Sequence, residues 1–478
     1  MKRFSALAFC LLGWCVAFLV FPKSQSTGLG EPRNSGVDAV FADLVGMRPG
    51  AAVGVLMDGE VVHRAGYGIA DMDHGIPITP KTVFDIASIS KQFGAMAALL
   101  LEDQGLLDLE EDIRTYVPEL PDFGLKIVPR HLIHHTSGIR DWPHTMSLGG
   151  VEYSDVISFD KILRMLYRQT AINFAPGSEY AYSNTGYNLL ARTVEVQSDM
   201  TFRAYTREQI FEPLGMTHTH FSDDYLEIVS GRAESYAPVS GDGDGSFRRQ
   251  INQLTALASS SLNTTVDDFL LWMRNYETGT VGGEKTVAKM LQRGVLTGGD
   301  TIDYAHGLRV GTYRGLLNFG HGGSWAGFRT NFIRFPEQNL SIVVFCNFST
   351  CDPAGRALEV AEVFLEDLIG PVPEPPEGSS EDPPQSLNLS DSELSQYSGQ
   401  YRSPELDSTY DIFVDSSGLV AEHWRNPPSK LSAAGDDLFT GDQRWFPEVR
   451  FVRNRSGKVT GFTVTGARVR DLIFEKVQ

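Results

Sequence analysis

The sequence predicts a mixed α/β body followed by a smaller, separate all-β unit, and three features carry that expectation. A hairpin of β-branched and apolar residues is followed by a long apolar helix, and a run of short strands returns between residues 308 and 345. Residues 370–385 (GPVPEPPEGSSEDPPQ) hold nothing to bury and read as a linker, semi-rigid where the prolines cluster. Beyond them short strands recur at regular spacing, the pattern of an antiparallel barrel or sandwich. At 478 residues the chain has room for two such units.

The elements follow in order. Lys2 and Arg3 precede an apolar stretch at 4–21, and Pro22, Lys23 and polar residues come after it. A charged start before a hydrophobic core is an export signal. Ser24-Gln25-Ser26 offers a small-x-small cleavage site, so residues 1–26 are expected to be a signal peptide. Left uncleaved, the stretch is just long enough to be an N-terminal membrane anchor. Either way the body is expected to be exported, periplasmic or extracellular. Residues 27–35 are a polar lead-in. Residues 51–57 form a strand, Asp58-Gly59 a hairpin turn, and 60–65 the returning strand. The helix expected after Ser88 runs through Leu101 and is apolar nearly all round, so it should lie between other layers. From 105 to 220, helical patterns alternate with turns at Pro118, Pro121, Pro129 and Pro176-Gly177. Asp267-Asp268 leads an amphipathic helix over 267–276 with Trp272 and Met273. Strands are expected at 308–310, 316–319, 328–335 and 340–345, and a helix at 357–368. Within 388–478, strands are expected at 400–401, 410–414, 418–423, 438–439, 450–452, 461–465 and 471–474.

Hydrophobic residues at 42% and charged residues at 21% describe an ordinary globular protein. A net charge of −19 with no basic stripe excludes a nucleic-acid partner. Cys10 and Cys15 follow Phe9 and Trp14, where lipid attachment would want a small residue. Cleavage would leave Cys346 and Cys351. Cys346 reads as a small buried strand residue, and a local bridge to Cys351, open in an oxidising compartment, is not expected.

Three clusters carry chemistry. Ser88-Ile89-Ser90-Lys91 at the head of a helix places Ser88 and Lys91 on one face. A serine hydroxyl is a poor nucleophile until a base takes its proton, and a desolvated lysine is such a base. A helix N-cap followed by a solvated lysine gives the same four letters. In Tyr180-Ala181-Tyr182-Ser183-Asn184-Thr185-Gly186-Tyr187, a tyrosine stacked beside a lysine is expected to have a lowered pKa and to relay a proton. Asn184 is expected to orient the lysine and a substrate carbonyl; the plain alternative is a turn entering a helix with packed aromatics. In Gly320-His321-Gly322-Gly323-Ser324, glycines let a backbone approach a ligand, and a strand edge there presents an N–H to an oxyanion. A glycine-rich hairpin would look alike. His131, His134 and His135, and His218 with His220, invite a metal reading. They lack a carboxylate or cysteine partner at useful spacing, so neither metal nor cofactor is expected.

Together and in this order the clusters resemble the serine β-lactamase-like hydrolases, particularly the class C branch. That branch holds D-aminopeptidases, D,D-carboxypeptidases, esterases and amide hydrolases. The likeness spans roughly 36–368 and includes residues 82–93, Phe174-Ala175-Pro176-Gly177, Gly68-Ile69-Ala70-Asp71, LIHHTSG at 132–138, Pro213-Leu214-Gly215-Met216 and 263–268. It implies a β-lactamase/penicillin-binding-protein-like α/β (α+β) fold over 36–369: an antiparallel sheet flanked by helices, plus a helical subdomain, with the cleft between. By the same resemblance Ser88 is the acylated nucleophile, Lys91 touches it, and Tyr182 is general base or proton relay. Asn184, His321, Gly323 and Ser324 bind substrate, His321 lies on an edge strand, and backbone N–H groups of Ser88 and Ser324 form the oxyanion hole. Whether Lys91 or Tyr182 takes the proton stays open. Tyr397-Ser398-Gly399-Gln400-Tyr401 resembles the opening of barrel domains appended to D-aminopeptidase-like members, which can shape or cover the cleft.

One departure matters. His321-Gly322-Gly323 stands where β-lactamases carry a Lys-Thr-Gly triplet. Histidine is only partly charged near neutrality, and Gly322 offers no side-chain donor. The difference weakens the case for a β-lactamase and favours a peptidase or esterase. Arg329 lies near enough in sequence to supply the charge but reads as a surface arginine on a strand. The expectation is an exported serine hydrolase acting on a small peptide, amide or ester, with D-amino-acid peptides or peptidoglycan fragments leading. The alternatives are a carboxylesterase or lactonase, a β-lactamase, and a non-catalytic cell-wall-peptide binding protein. Membrane association would run through residues 4–21; the oligomeric state is left open.

Overall fold

The computed structural model describes residues 31–239, 245–371, 387–466 and 468–477. The expected export segment at 1–26 lies outside the described residues, as does all of the 370–385 linker beyond its first two positions.

A six-stranded antiparallel sheet organises the first part of the chain. Its strands are β1 (Ala51–Met57), β2 (Glu60–Tyr67), β3 (Arg309–Tyr313), β4 (Leu316–Trp325), β5 (Phe328–Phe335) and β6 (Leu340–Cys346), in the order β3-β4-β5-β6-β1-β2. Asp58 and Gly59 join β1 to β2 with φ of 50° and 76°. Two positive φ values give the turn whose twist matches a hairpin. Both faces of the central strands are covered, so β1 and β6 are apolar at successive positions rather than alternating. On β1, Ala52 and Leu56 join one core while Ala51, Val53 and Val55 join the other. Helices α1 (Glu31–Val40) and α5 (Pro353–Leu365) cover the second face. The first core holds α2 (Lys91–Asp103), α3 (Asn184–Ser198) and α4 (Val266–Thr278).

Two expectations change here. His321 is not on an edge strand: Gly320-His321-Gly322-Gly323-Ser324 forms the second half of β4, which is second from the sheet edge, and the hairpin alternative falls with it. The β3 pairing stops at Arg309 opposite Gly320, so residues 321–325 run past it and one side of that half has no strand partner among the described residues. Cys346 and Cys351 are bridged. A turn closed by the Cys351 N–H on the Phe348 carbonyl (3.2 Å) carries the chain back to the end of β6, a fold-back that composition did not reveal.

The C-terminal part is a closed eight-stranded antiparallel barrel: β7 (Gly399–Ser403), β8 (Ser408–Asp415), β9 (Gly418–Glu422), β10 (Ser429–Gly435), β11 (Leu438–Gly441), β12 (Glu448–Arg453), β13 (Val459–Gly466) and β14 (Val469–Lys476). Sequence patterning missed β10. It alternates correctly, with Leu431 and Ala433 inside, but carries only one large apolar side chain. The barrel is filled by aromatics, including Phe462 stacked on Phe474 at 4.7 Å. Polar contacts tie it to the helical subdomain: the Tyr410 hydroxyl donates to the Leu148 carbonyl at 2.9 Å, and Arg425 pairs with Asp155 at 2.6 Å. Among the described residues no helix is long and apolar enough to cross a membrane.

Candidate active site

The nucleophile turn is built before the helix it opens. Ala87 is held at φ 48°, an uncommon conformation for a residue with a Cβ. Its N–H donates to Asp85 Oδ1 at 2.8 Å, and Asn252 Nδ2 donates to the other oxygen of Asp85 at 2.8 Å. A tight turn over Ala87–Ser90 then feeds directly into α2, leaving Ser88 half-buried and Lys91 fully buried.

Lys91 Nζ has three neighbours. It lies 2.8 Å from Asn184 Oδ1, 2.7 Å from the Ser259 carbonyl and 3.2 Å from Ser88 Oγ. Burial pushes the Lys91 amine well below its usual range; Asp141 opposes that shift and Arg468 adds to it. A neutral amine has two N–H groups and one lone pair. The two carbonyl oxygens only accept, so they take both N–H groups and the lone pair is left for the Ser88 hydroxyl.

Tyr182 lies on the loop before α3, its ring centre 4.8 Å from Lys91 Nζ. Its expected lowered pKa is corrected. Burial pushes the phenol above its ordinary value, and Ser88 hydrogen bonding with the Arg468 charge only partly offsets that. Behind it the His135 ring packs at a tilt, 4.1 Å between centres, and His135 Nδ1 accepts the Ser183 N–H at 3.1 Å. His135 is thus a support for the tyrosine loop. His134 packs edge-on against His306 at 4.9 Å, His131 Nδ1 accepts the Val128 N–H at 3.3 Å, and His218 and His220 face Asp268 and Glu227. Each histidine therefore serves a different local contact. Among the described residues no group of three metal-binding side chains is assembled.

His321 is buried, with Nδ1 2.6 Å from the Gly322 carbonyl and Nε2 3.1 Å from the Tyr304 hydroxyl. A carbonyl only accepts, so Nδ1 carries the hydrogen and Nε2 accepts from the tyrosine. Burial and the nearby Lys91 lower the His321 pKa to about 3. The ring is therefore neutral, not partly charged. Arg329 is corrected as well: it is half-buried and donates to the carbonyls of Ala326 (3.1 Å) and Phe328 (2.7 Å). Gly323 has a steric reason: a Cβ there would stand 2.2 Å from the Ile86 carbonyl oxygen and 2.2 Å from Thr330 Oγ1. The free half of β4 thus lies directly against the turn that carries Ser88, with Ser324 exposed beside it. One residue on, Trp325 packs on Trp142 (5.7 Å) and Tyr153 (5.3 Å).

Three site residues escaped the sequence reading: Ser259, Asp141 and Arg468. Asp141 Oδ1 accepts Asn184 Nδ2 at 3.0 Å and the Asn184 N–H at 2.7 Å, fixing which way the amide faces. Arg468 donates to Asp141 Oδ2 at 2.9 Å. Ser259 acts through its carbonyl, for which a side chain gives no signal. Asp141 sits only three residues past the 132–138 segment, a proximity that could have flagged it.

The fold and the serine–lysine–tyrosine arrangement together define the class of β-lactamase-like proteins with the penicillin-binding-protein fold and, here, an added barrel. The chain belongs to the Beta-lactamase family, whose profile matches residues 37–363. It is 27% identical over 336 residues to a D-aminopeptidase of Gluconobacter oxydans, covering 70% of this chain and 61% of that one. A D-aminopeptidase of Brucella anthropi is 27% identical over 325 residues, with coverages of 67% and 59%. The chain thus spans about three fifths of the length of these relatives. Among solved structures, an octameric penicillin-binding protein homologue from Pyrococcus abyssi superposes with a TM-score of 0.61 at 20% identity, covering 93% of this chain and 99% of that one. D-amino acid amidase from Ochrobactrum anthropi SV3 gives 0.60 at 22% identity, covering 70% and 99%.

Proposed function

We propose that the protein is an exported serine hydrolase that cleaves the amide bond of D-aminoacyl peptides or amides through a Ser88 acyl-enzyme. One observation carries the reading. The buried Lys91 amine lies 3.2 Å from Ser88 Oγ, and its other two positions are taken by acceptors, Asn184 Oδ1 and the Ser259 carbonyl. That is the geometry of a general base on a nucleophile.

Ser88 Oγ bonds to the substrate carbonyl carbon as its proton passes to Lys91 Nζ. The proton then travels by way of the Tyr182 hydroxyl to the leaving nitrogen, the C–N bond breaks, and the amine departs. Water adds to the acyl carbon, and the lysine–tyrosine pair takes its proton and returns one to Ser88 Oγ as the acid leaves. A tyrosine held protonated suits this relay better than the role of primary base. The N–H groups of Ser88 and Ser324 would hold the oxyanion, each worth about 3 kcal/mol in the transition state. Asn184 would orient Lys91 and the substrate carbonyl, and His321 and Gly323 would shape the wall of the cleft. The named relatives support the D-amino-acid class, and a neutral His321 gives no fixed charge for a β-lactam carboxylate. The N-terminal pattern and the Cys346–Cys351 bridge support an oxidising, exported setting.

The test is intact-mass spectrometry after incubation with a fluorophosphonate and, separately, with a penicillin, beside Ser88→Ala. A fluorophosphonate adduct lost in Ser88→Ala is expected, with turnover of D-aminoacyl nitroanilides. No adduct from either probe would sink the reading. Turnover of acyl esters alone would move it to an esterase, and a penicillin adduct that hydrolyses would move it to a β-lactamase.

A further inference from the structure

Strands β4 and β5 bring no free cation to the site, because His321 on β4 is neutral and Arg329 on β5 is engaged with backbone carbonyls. A guanidinium arrives from the barrel instead. Arg468 lies between β13 and β14, with its charged group 4.9 Å from the centre of the Tyr182 ring and Nη1 2.9 Å from Asp141 Oδ2. Its backbone is held too: the Arg468 carbonyl accepts the Asp141 N–H at 3.2 Å and Asn173 Nδ2 at 3.1 Å. The hairpin sits tightly, since a Cβ on Gly466 would stand 2.5 Å from His144 Cε1. From the guanidinium an unbroken path runs to the nucleophile: Arg468 to Asp141, Asp141 to Asn184 at 3.0 Å, Asn184 to Lys91 at 2.8 Å, and Lys91 to Ser88 at 3.2 Å.

We infer that Arg468 is a positioning residue of the hydrolytic site, by which the C-terminal barrel supplies the cation that the third motif lacks and locks the Asp141–Asn184–Lys91 path behind Ser88. The inference rests on the reading of Ser88 as the acylated nucleophile. Lys91 is faced by Ser88 on its own turn, by the rings of Tyr182 at 4.8 Å and Tyr187 at 5.6 Å, by His135 and His321, and by Asp141 with Arg468, and Tyr180 and Tyr304 complete the surround of Tyr182. Burial holds the Lys91, His135 and His321 bases and the tyrosines toward their neutral forms. What remains is the Asp141 charge, which favours protonated Lys91, and the Arg468 charge, which opposes it. Without Arg468 the carboxylate acts on Lys91 unopposed, and the amine keeps its proton to higher pH.

The experiment compares full-chain wild type, Arg468→Met, Arg468→Gln and Arg468→Lys. Burst acylation by p-nitrophenyl acetate is followed across pH, with fluorophosphonate labelling and thermal unfolding alongside. In Arg468→Met the acid limb of the acylation rate moves up by about one pH unit, as expected for loss of a positive charge that shares the Tyr182 ring with Lys91, and the rate below the limb falls about tenfold. Arg468→Lys restores the limb. Should Arg468→Met fail to fold, Arg468→Gln, which keeps a donor without the charge, is read in its place. An unmoved limb overturns the inference, including the case where only KM rises, as does a limb that Arg468→Lys fails to restore. A wild type unlabelled at Ser88 overturns the reading beneath it as well. A labelled variant with the wild-type limb overturns this inference alone.

Discussion

Arg140 and Glu405 meet across the junction of the helical subdomain and the barrel, Nη1 2.6 Å from Oε1 and 2.9 Å from Oε2, with side chains 1% and 5% exposed. Neither charge could stand there alone. Thr170 donates to the same carboxylate through its N–H at 3.0 Å and its hydroxyl at 2.6 Å, and Arg140 also donates to the Arg470 carbonyl at 2.9 Å. Glu405→Ala leaves a buried guanidinium unpaired and is expected to cost about 3–5 kcal/mol. Replacing both partners, Arg140→Met with Glu405→Leu, should cost distinctly less, because no orphaned charge remains. Urea unfolding of the three variants measures the difference; a double variant as weak as Glu405→Ala would contradict it.

Lys91→Met separates stability from function. The amine is buried and its proton affinity depressed, so the folded state holds fewer protons there than the unfolded chain, whose lysine titrates near 10.5. Stability from this group is therefore lacking below 10.5 and grows as pH rises toward it. A methionine of similar length removes that cost. The expected result is a urea midpoint at least equal to wild type at pH 7, with acylation slower by about 10²–10⁴-fold. Wild-type acylation should rise with pH along a limb well below the ordinary lysine range. A Lys91→Met enzyme that keeps the wild-type burst would remove the lysine from the mechanism.

Buried neutral histidines should make the fold acid-sensitive. His131 and His134 are lowered from 6.5 to about 4, first by burial and then by Arg130. His321 is lowered to about 3. Between those values and 6.5 the unfolded chain binds more protons than the folded one, so stability is complete above 6.5 and is lost as pH falls. At about 1.4 kcal/mol per pKa unit the combined loss by pH 4 is several kcal/mol. Urea midpoints at pH 7.5, 5.5 and 4.5 should fall stepwise, and His131→Gln should flatten the curve. A midpoint independent of pH over that range would rule the account out.

How far these features could be read from the chain differs by element. The β1–β2 hairpin was legible because Asp58-Gly59 names its own turn, and α2 because Ala95 to Leu101 has no polar face. Barrel strand β10 was not, since one leucine among small and polar residues gives little amplitude to an alternating pattern. Ser88, Lys91, Tyr182 and Asn184 stood out because their spacing is local and the proposed chemistry uses their side chains. Asp141 and Arg468 are 327 residues apart, and only tertiary packing brings them to 2.9 Å. The tyrosine's proton affinity went the wrong way for a related reason. Stacking beside a lysine is visible in a motif, but the burial that outweighs it belongs to the fold.

Adjacent glycines in β4 should respond oppositely to substitution. Gly322 is exposed, and the nearest atoms to an added Cβ there, Asn331 Nδ2 and the Thr330 carbonyl oxygen, are 3.7 Å away. That is ordinary contact, so Gly322→Thr should fold normally, within about 0.5 kcal/mol of wild type. It would also return the hydroxyl that the Lys-Thr-Gly triplet places at this point. Gly323 has no such room. Its added Cβ meets the Ile86 carbonyl oxygen and Thr330 Oγ1, both at 2.2 Å, and Thr330 itself donates to Ile86 at 2.9 Å. Gly323→Ala must therefore push β4 off the nucleophile turn, and with it the Ser324 N–H proposed to hold the oxyanion. Loss of one such donor slows acylation about 10²–10³-fold. Burst rates and urea midpoints of the two variants, measured side by side, decide it: a fast, stable Gly323→Ala enzyme would mean that the free half of β4 does not form the wall of the site.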